Sequence, residues 1–523
     1  MPFALPRPAV LFLLGAAVST WMCLAMPVFS QEAYYWTYAQ HPDLSYFDHP
    51  PMVAWLIWLG TNVFGDGALG IRFGTWVCGL CTAWFGVLLL RCFGIGREGQ
   101  STWLLLGLAV PILAMTRFLA NPDAGLVCFW TLTMLALWRA RSGSLLWWSV
   151  AGFAAGAAML SKYTGVFLGA GGICLLLFDE PMRRQLRKPG PYLGVLIAAV
   201  VFSPVVIWNA QNHFESFRFQ TEGRWEAAKF GGEWITQLLL GQLLVFHPAL
   251  ALLLPAAVWW LCKRAWSAGR SDARPLWLLA FGLPLPLYLL SNSLWIQVKI
   301  NWLAPAYVPL LLGMVVWWTE RAAAATALAA AGERVSAQRF WRVAKWSVLV
   351  MPLLLLFTPL VRLVSSGHGS SWSGWDQLAE RAEHWEETID PADGVEGNVF
   401  FFAPDYKDAA QLTHGLKRLW QGAGKREKIP AIPDLGEPTL AQNVIGLDAL
   451  QFDHWEDPKR RLGQDAILVL PRPTQRQAMV DKTRLCFESI EKVERVTIQT
   501  LGIDLLEADI YVCRHYRGPL GKQ

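Results

Sequence analysis

Three carboxylates stand in short polar stretches between long apolar runs: Glu32, Asp48 and Asp123. A carboxylate in such a setting can act as a general base that removes the proton from an acceptor hydroxyl. Four cations stand in comparable stretches: Arg117, Lys162, Arg218 and Lys299. Cations of this kind can neutralise a phosphate group. The residue types therefore predict a site where a hydroxyl is activated beside a bound phosphate.

Each of these features also admits a structural interpretation. Asp123 follows a proline at a predicted helix start, where free backbone N–H groups favour an acid. Lys162 can extend along apolar surface towards a membrane boundary, and His49 can orient the turn formed by the two prolines after it. Tyr34 and Tyr35 are typical of an aromatic belt at a membrane surface. The occurrence of all of them in loops on one face is what favours a functional site.

The elements that must position these residues are transmembrane helices. The chain has 523 residues, of which 54% are hydrophobic and 16% charged. Apolar runs of about 20 residues, the length that spans a bilayer core, recur between residues 8 and 364. From 365 onwards, charges and Pro/Gly turns have ordinary globular density. We therefore predict a polytopic α-helical membrane domain over 1–364 and a small soluble α/β domain over 365–523.

The apolar runs predict about 11–13 transmembrane helices. Eleven runs are long enough to span: 9–29, 68–91, 101–118, 123–138, 145–160, 164–178, 192–208, 235–261, 276–294, 302–318 and 343–364. The run 52–64 is short and is bounded by two prolines and a glycine, so we predict a helix that lies at the membrane surface.

Lys and Arg are concentrated in alternate loops, at 91–97, 139–141, 183–188, 263–274 and 321–345. The positive-inside rule places these loops in the cytoplasm, so the candidate site residues and the C-terminal domain are expected on the opposite side. The net charge of +5 is explained by the same distribution, and no basic stripe in a soluble segment indicates nucleic-acid binding. The sequence has neither a P-loop nor a GxGxxG motif after a strand, so the expected donor is not a cytosolic nucleotide.

The C-terminal domain shows helical and strand patterns. Helical spacing predicts an amphipathic helix over four residues: Trp375, Leu378, Ala382 and Trp385. Short apolar runs predict strands at 399–403, 466–470, 493–499 and 509–513. Seven of the nine cysteines lie in or beside apolar runs and are interpreted as small buried hydrophobes. The other two, Cys486 and Cys513, could form a disulfide outside the cytoplasm.

Six short motifs resemble those of one enzyme family: EAYYW at 32–36, YFDHPP at 46–51, NPDA at 121–124, SKYT at 161–164, WNAQN at 208–212 and NWLAPAY at 301–307. They are similar to motifs of the GT-C glycosyltransferases of the protein O-mannosyltransferase and lipid A aminoarabinose/galacturonic acid transferase group (glycosyltransferase families 39 and 83). The motifs occur in the family's order across most of the membrane domain. The segment 463–469 also resembles the periplasmic domain of bacterial members.

This resemblance implies an enzyme of the bacterial inner membrane that uses a polyprenyl-phosphate sugar, with undecaprenyl phosphate as the expected carrier. It implies an inverting reaction at the periplasmic face, in which an acid in the first outer loop activates the acceptor hydroxyl. In the family this loop carries an Asp-Glu pair, where this chain has Gln31 and Glu32. Because glutamine cannot take up the proton, the expected base is Glu32, with Asp48 as the alternative.

Other roles follow from the same resemblance. Asp123 is expected to be an additional acid of the site, and Lys162 and Arg117 to stabilise the leaving phosphate. Asp48 and His49 are expected to position the carrier phosphate or a divalent metal ion. Further substrate-binding residues are expected in the same loops: Tyr34, Tyr35, Tyr163, Asn209, Arg218, Lys299 and Asn301.

Two other classes of protein also fit a polytopic chain. Transporters, which include flippases for lipids or lipid-linked sugars, commonly have paired repeats and binding groups near the bilayer midplane. This sequence shows no clear repeat, and its ionisable groups collect towards one surface. A structural scaffold would not require so many acids and cations in the outer loops. Relatives with similar motifs differ in sugar and acceptor, so the acceptor is expected to be lipid A, a core oligosaccharide, another envelope glycan or a protein.

Overall fold

The computed structural model describes residues 6–226, 228–268, 271–330, 350, 373–393, 399–424 and 439–521. The chain divides into two compact units. The first unit comprises residues 1–23, 49–56 and 72–356, and the second comprises residues 24–48, 57–71 and 357–523. The sequence analysis divides the chain once, at 364, whereas the second unit also includes the polar stretch that holds Glu32 and Asp48.

The described part before residue 331 is helical. Its α-helices are α1 (Pro8–Ala25), α2 (Ser30–Gln40), α3 (Met52–Phe64), α4 (Ala68–Cys92), α5 (Arg97–Ala109), α6 (Pro111–Met115), α7 (Pro122–Ala140), α8 (Leu145–Ser161), α9 (Phe167–Phe178), α10 (Glu180–Gln185), α11 (Gly190–Gln211), α12 (Glu215–Arg218), α13 (Glu233–Val245), α14 (Pro248–Ala268), α15 (Arg274–Gly282), α16 (Pro284–Asn292) and α17 (Ala304–Ala330). Irregular helical turns are Tyr163–Val166, Phe219–Gly223 and Ile300–Leu303.

Six segments of the described chain are long and apolar enough to cross a membrane: Pro8–Ala25, Ala68–Cys92, Gly190–Gln211, Pro248–Ser267, Arg274–Asn292 and Ile300–Ala324. Shorter apolar helices are Met52–Phe64, Leu145–Ser161 and Tyr163–Phe178. The predicted polytopic helical fold is confirmed. The predicted span 101–118 is two helices, α5 and α6, because Pro111 cannot continue the hydrogen bonding of α5. The predicted span 343–364 lies outside the described residues, apart from residue 350.

Helices of the first unit approach each other closely at glycines. A Cβ atom on Gly152 of α8 would lie 2.2 Å from the carbonyl oxygen of Gly194 in α11. A Cβ atom on Gly86 of α4 would lie 2.3 Å from the indole of Trp103 in α5. The Trp103 indole is 1% exposed and donates to the Ala83 carbonyl oxygen at 2.9 Å. A larger residue therefore has no room at either glycine, at Gly152 because of a neighbouring backbone and at Gly86 because of the Trp103 ring.

The second unit contains a five-stranded mixed sheet. Its helices after residue 372 are α18 (Trp375–Asp393), α19 (Tyr406–Ala423), α20 (Phe452–Trp455) and α21 (Gln477–Cys486). Its strands are β1 (Val399–Phe402), β2 (Thr439–Leu440), β3 (Asp465–Pro471), β4 (Phe487–Thr500) and β5 (Ile503–Tyr516). Short 3₁₀ turns are Gln442–Ile445, Pro458–Arg461 and Pro473–Gln475. The strand order is β2-β1-β3-β5-β4.

The sheet separates two apolar cores. β1 pairs in parallel with β2 and β3, and β5 pairs antiparallel with β3 and β4. Because side chains alternate along a strand, Phe401 packs in one core while Phe400 and Phe402 pack in the other. The predicted small α/β domain is confirmed, and its four predicted strands correspond to β1, β3, β4 and β5. Cys486 and Cys513 are both buried and free, so the disulfide considered from the sequence is not formed.

Candidate functional site

Asp123 lies in the first turn of α7. The helix begins there because the Asn121 side chain caps it, accepting from the backbone N–H of Ala124 at 3.1 Å. The Asp123 side chain is 2% exposed. The capping group is thus Asn121, which leaves both carboxylate oxygens of Asp123 for other partners.

Two residues far away in sequence bind Asp123. The Lys162 Nζ atom lies 2.7 Å from Asp123 Oδ1, and the Asn301 Nδ2 atom lies 2.6 Å from Oδ2. Lys162 is the residue at which α8 ends, and Asn301 lies in the 3₁₀ turn before α17. Each carboxylate oxygen therefore has a donor, as a buried carboxylate requires. The structure brings together these three residues, each of which is predicted from the sequence.

An aromatic ring with two cations adjoins this group. Trp302 follows Asn301 in sequence, and the Lys162 ammonium lies 6.0 Å from the centre of its ring. The Arg224 guanidinium lies 4.8 Å from the same ring. Such contacts hold cations in place through the ring's quadrupole. No role of Arg224 or Trp302 is predicted from the sequence, although Trp302 belongs to the motif at 301–307.

His49 lies in the same unit as these cations. Burial lowers the pKa of the His49 imidazole well below its ordinary value, and the positive charges of Lys162, Arg224 and Lys299 lower it further. The ring is therefore neutral near pH 7. A neutral imidazole among cations adds no positive charge, but it can offer either a donor or an acceptor nitrogen.

In the second unit, Asp48 is held by tyrosine hydroxyls. The Tyr34 hydroxyl donates to Asp48 Oδ1 at 3.2 Å, and the Tyr38 hydroxyl makes a shorter hydrogen bond to the same atom. Burial, followed by the negative charge of Asp48, raises the pKa of both tyrosines well above the ordinary value. Both hydroxyls thus keep their protons and donate, which favours the charged form of the carboxylate.

A segment of the C-terminal domain supports these tyrosines. The backbone N–H of Gln451 donates to the Tyr34 hydroxyl at 3.4 Å, and the Gln451 Oε1 atom accepts from the backbone N–H of Phe47 at 2.7 Å. The Phe452 ring stacks on Tyr34 with centroids 6.3 Å apart. Gln451 is 3% exposed. Gln451 and Phe452, at the start of α20, therefore fix the loop in which Asp48 lies, a contact that no local sequence pattern predicts.

Glu32 has a different environment. Its side chain is 2% exposed, and its Oε2 atom accepts a hydrogen bond from the backbone N–H of Phe29 at 3.0 Å. This contact satisfies a free backbone donor at the start of α2. Glu32 thus has a structural role at the helix start, while its role as the base stays a prediction.

The remaining predicted residues are distributed over both units. Tyr35 is buried against Tyr34 and Tyr38 in the second unit. In the first unit, Tyr163 shares a 2.6 Å hydrogen bond with Ser216. Buried Asn209 accepts from the backbone N–H of Phe217 at 3.2 Å, and so holds the turn after α11.

Three predicted cations differ in their surroundings. Lys299 is exposed and acts on His49 through its charge, and Arg218 is exposed on α12. Arg117 is 6% exposed and lies against Gly15, Gly79 and Gly107. Arg117 thus packs against glycines, whereas Lys162 and Asn301 bind the Asp123 carboxylate.

The donor groups around Asp48 and His49 do not fit a divalent cation. Asp48 accepts from two tyrosine hydroxyls, and His49 lies in the field of three cations, which repels a further positive charge. Within the described residues, no three His, Cys, Asp or Glu side chains come together in a way that could hold a metal ion.

Comparisons with known proteins agree with the motif resemblance. The family described as dolichyl-phosphate-mannose-protein mannosyltransferase matches residues 48–208. The chain is 28% identical to the lipid A galacturonosyltransferase RgtD of Rhizobium johnstonii, over 58% of this chain and 64% of that protein. It is 26% identical to the undecaprenyl phosphate-alpha-4-amino-4-deoxy-L-arabinose arabinosyl transferase 1 of Pseudomonas fluorescens, over 55% of this chain and 53% of that protein. The matches thus span about half to two thirds of the length of these relatives.

Solved structures extend the likeness to the fold. The crystal structure of ArnT from Cupriavidus metallidurans in the apo state matches with a TM-score of 0.62 at 16% identity, over 96% of this chain and 97% of that chain. The same protein bound to undecaprenyl phosphate matches with a TM-score of 0.59. The predicted fold, a helical membrane domain followed by a small α/β domain, is therefore confirmed over nearly the whole chain.

Proposed function

We propose that this chain, which has the GT-C fold and is related to transferases that use lipid-linked sugars, moves a sugar from a polyprenyl-phosphate carrier to an acceptor hydroxyl. The observation that carries this proposal is the cation-rich group of the first unit. Lys162 and Asn301 are bound to buried Asp123, and Arg224 and Lys299 add positive charge beside neutral His49. Such a group suits a phosphate at the end of a membrane-embedded lipid.

Charge favours the departure of this phosphate. Asp123 neutralises one positive charge through Lys162, so Arg224 and Lys299 give the group a net positive charge. Negative charge grows on the phosphate as its bond to the sugar breaks, and cations already in place stabilise that charge without reorganisation. Arg224 is the better suited of the two, because its half-buried guanidinium is fixed over Trp302 and can bind two phosphate oxygens.

Asp48 is the base that we propose, in preference to Glu32. Two hydroxyls donate to it and maintain its charged form, whereas Glu32 accepts from the backbone at the start of its own helix. The acceptor proton passes to Asp48 as the acceptor oxygen bonds to the anomeric carbon. The bond from that carbon to the phosphate oxygen breaks, and the electron pair leaves with the phosphate. Attack opposite the leaving group inverts the anomeric centre.

The relatives support the choice of substrates. One is named for an undecaprenyl phosphate-linked sugar and one for lipid A, and ArnT was crystallised with undecaprenyl phosphate. We therefore propose undecaprenyl phosphate as the carrier and lipid A as the acceptor. The positive-inside rule supports a periplasmic location of the reaction, in the bacterial inner membrane.

Mass spectrometry of lipid A tests this proposal. Cells with the chain should contain lipid A that is one sugar heavier than lipid A from deletion cells. Asp48→Asn should abolish that mass, whereas Glu32→Gln should retain part of it. Asp481→Asn, at an exposed position of α21, is the matched control and should behave like the wild type.

Two results would count against the proposal. Unchanged masses of all lipids, glycans and proteins, together with redistribution of a lipid-linked sugar across the membrane, would indicate a flippase. Full activity of Asp48→Asn with an inactive Glu32→Gln would assign the base to Glu32.

A further inference from the structure

Arg117 occupies a cradle of glycines in the first unit. A Cβ atom on Gly107 of α5 would lie 2.7 Å from one terminal nitrogen of its guanidinium, and a Cβ atom on Gly15 of α1 would lie 3.0 Å from the other. A Cβ atom on Gly79 of α4 would lie 2.7 Å from the Arg117 Cα atom. The three helices therefore leave room for this side chain only because glycine stands at these positions.

The cradle lies deep along the helices that form it. Helices α1 and α4 are both long and apolar enough to span a membrane. At the rise of an α-helix, Gly15 and Gly79 lie about 15 Å from the helix ends at Ala25 and Ala68. This distance is about half the thickness of the hydrocarbon core of a bilayer. The Arg117 side chain thus lies well inside the ends of these two helices, whereas the sequence predicts it in an outer loop.

None of the described residues that line the Arg117 cavity is acidic. Within the described part of the chain, the Arg117 side chain makes no ion pair or hydrogen bond, and its cavity is lined by glycine, leucine, threonine and tryptophan. The hydroxyls of Thr82 and Thr116 donate to the backbone carbonyls of Cys78 and Leu113 at 2.9 and 2.8 Å. A guanidinium presents five N–H donors and stays charged, so burial without a counter-charge is strongly unfavourable.

We propose that the Arg117 cavity binds a single monoatomic anion of the size of chloride. The space open to the centre of a water-sized particle beside the guanidinium is about 10 Å³, which suits a single small ion. The anion neutralises the charge that the apolar surroundings cannot. It also holds the segment between α6 and α7 against α4, and Asp123 lies directly after that segment.

An anion titration of the full-length chain in detergent tests this inference. The protein is exchanged into sodium gluconate, and chloride replaces gluconate at constant ionic strength while tryptophan fluorescence reports thermal unfolding. A ligand that binds only the folded state raises the unfolding temperature, here by roughly 2–4 °C at saturation. Bromide should act like chloride in the wild type.

Two variants separate the site from a general effect of salt. Arg117→Met should remove the response to chloride, and Arg187→Met, at an exposed position, should leave it unchanged. The inference is overturned if the wild type unfolds at the same temperature in gluconate and chloride, a result that does not require the variant to fold. It is also overturned if Arg117→Met folds and retains the chloride response.

Discussion

At the scale of single residues, the hydroxyls around Asp48 decide whether the carboxylate can serve as a base. Tyr34 and Tyr38 are fully buried, and both donate to the same carboxylate oxygen. Hydrogen bonds to a charged group are worth roughly 1.5–3 kcal/mol. Asp48 and Tyr34 are both predicted from the sequence as site residues. Tyr38 is not, because a tyrosine in an aromatic-rich helix does not reveal which partner its hydroxyl has.

Removing one hydroxyl should change the pH dependence of the reaction. Without its Tyr38 donor, Asp48 in a Tyr38→Phe variant is more easily protonated, and a protonated carboxyl cannot act as the base. The acidic limb of the pH profile of kcat/KM should therefore move to higher pH, by about 1–2 units. Tyr192→Phe, on α11, removes a hydroxyl that donates to a backbone carbonyl and should leave the profile unchanged. If the pH profile of Tyr38→Phe does not shift, the Tyr38 hydroxyl does not control the protonation of the catalytic base.

A second change at this scale concerns the phosphate. Arg224→Met removes a guanidinium while keeping an apolar side chain over Trp302, so the local packing should persist. An enzyme that loses one hydrogen-bond donor to the charge formed in the transition state is typically slower by roughly 100- to 1,000-fold. We expect kcat to fall in this range, with a smaller change in KM for the lipid-linked donor. Arg97→Met, at an exposed position at the start of α5, is the control. Equal activity of the two variants would show that Arg224 does not meet the phosphate.

At the scale of elements, the sequence predicts which segments are helices and strands better than where each one breaks. Long apolar runs predict the membrane helices, and short apolar runs predict β1, β3, β4 and β5. The break between α5 and α6 depends on Pro111. Prolines also occur inside apolar runs that remain single helices, as Pro204 does in α11. Composition alone therefore does not distinguish a proline that ends a helix from one that is tolerated.

The residues at the start of α20 hold the loop that carries Asp48. Gln451→Leu removes the side-chain acceptor of the Phe47 N–H, and leaving a buried donor unsatisfied costs roughly 1–3 kcal/mol. Because Phe47 directly precedes Asp48, we expect kcat to fall about tenfold while KM for the donor stays constant. Gln477→Leu, at an exposed position of α21, is the matched control. A change in unfolding temperature without a change in kcat would make the contact structural only.

At the scale of the whole molecule, the second unit combines residues that lie far apart in the chain. The Trp36 indole donates to Asp66 at 2.8 Å, and His414 in α19 contacts both the Trp36 ring and the Asp66 carbonyl oxygen. Sequence patterns report local structure, so they separate the first outer loop from the C-terminal domain. Only long-range packing shows that they form one unit. The predicted boundary at 364 is a boundary of composition, and the second unit includes residues on both sides of it.

This packing has a consequence for stability. Burial lowers the pKa of His414 below its ordinary value, so the folded protein holds a neutral ring, whereas the unfolded chain binds a proton below about pH 6.5. The free energy of unfolding should therefore decrease as the pH falls below 6.5, by up to about 1.4 kcal/mol per pH unit until the folded ring is also protonated. The unfolding temperature should be lower at pH 5.5 than at pH 7.5.

The variant His414→Gln isolates this contribution, because glutamine can still donate to the Asp66 carbonyl oxygen but does not titrate. Its unfolding temperature should change less between pH 7.5 and 5.5 than that of the wild type. His384→Gln, at an exposed position of α18, should keep the full pH dependence. Since buried His49 contributes in the same direction, the His414→Gln profile should be flattened but not level. Identical profiles for His414→Gln and the wild type would mean that acid does not act on the second unit through this ring.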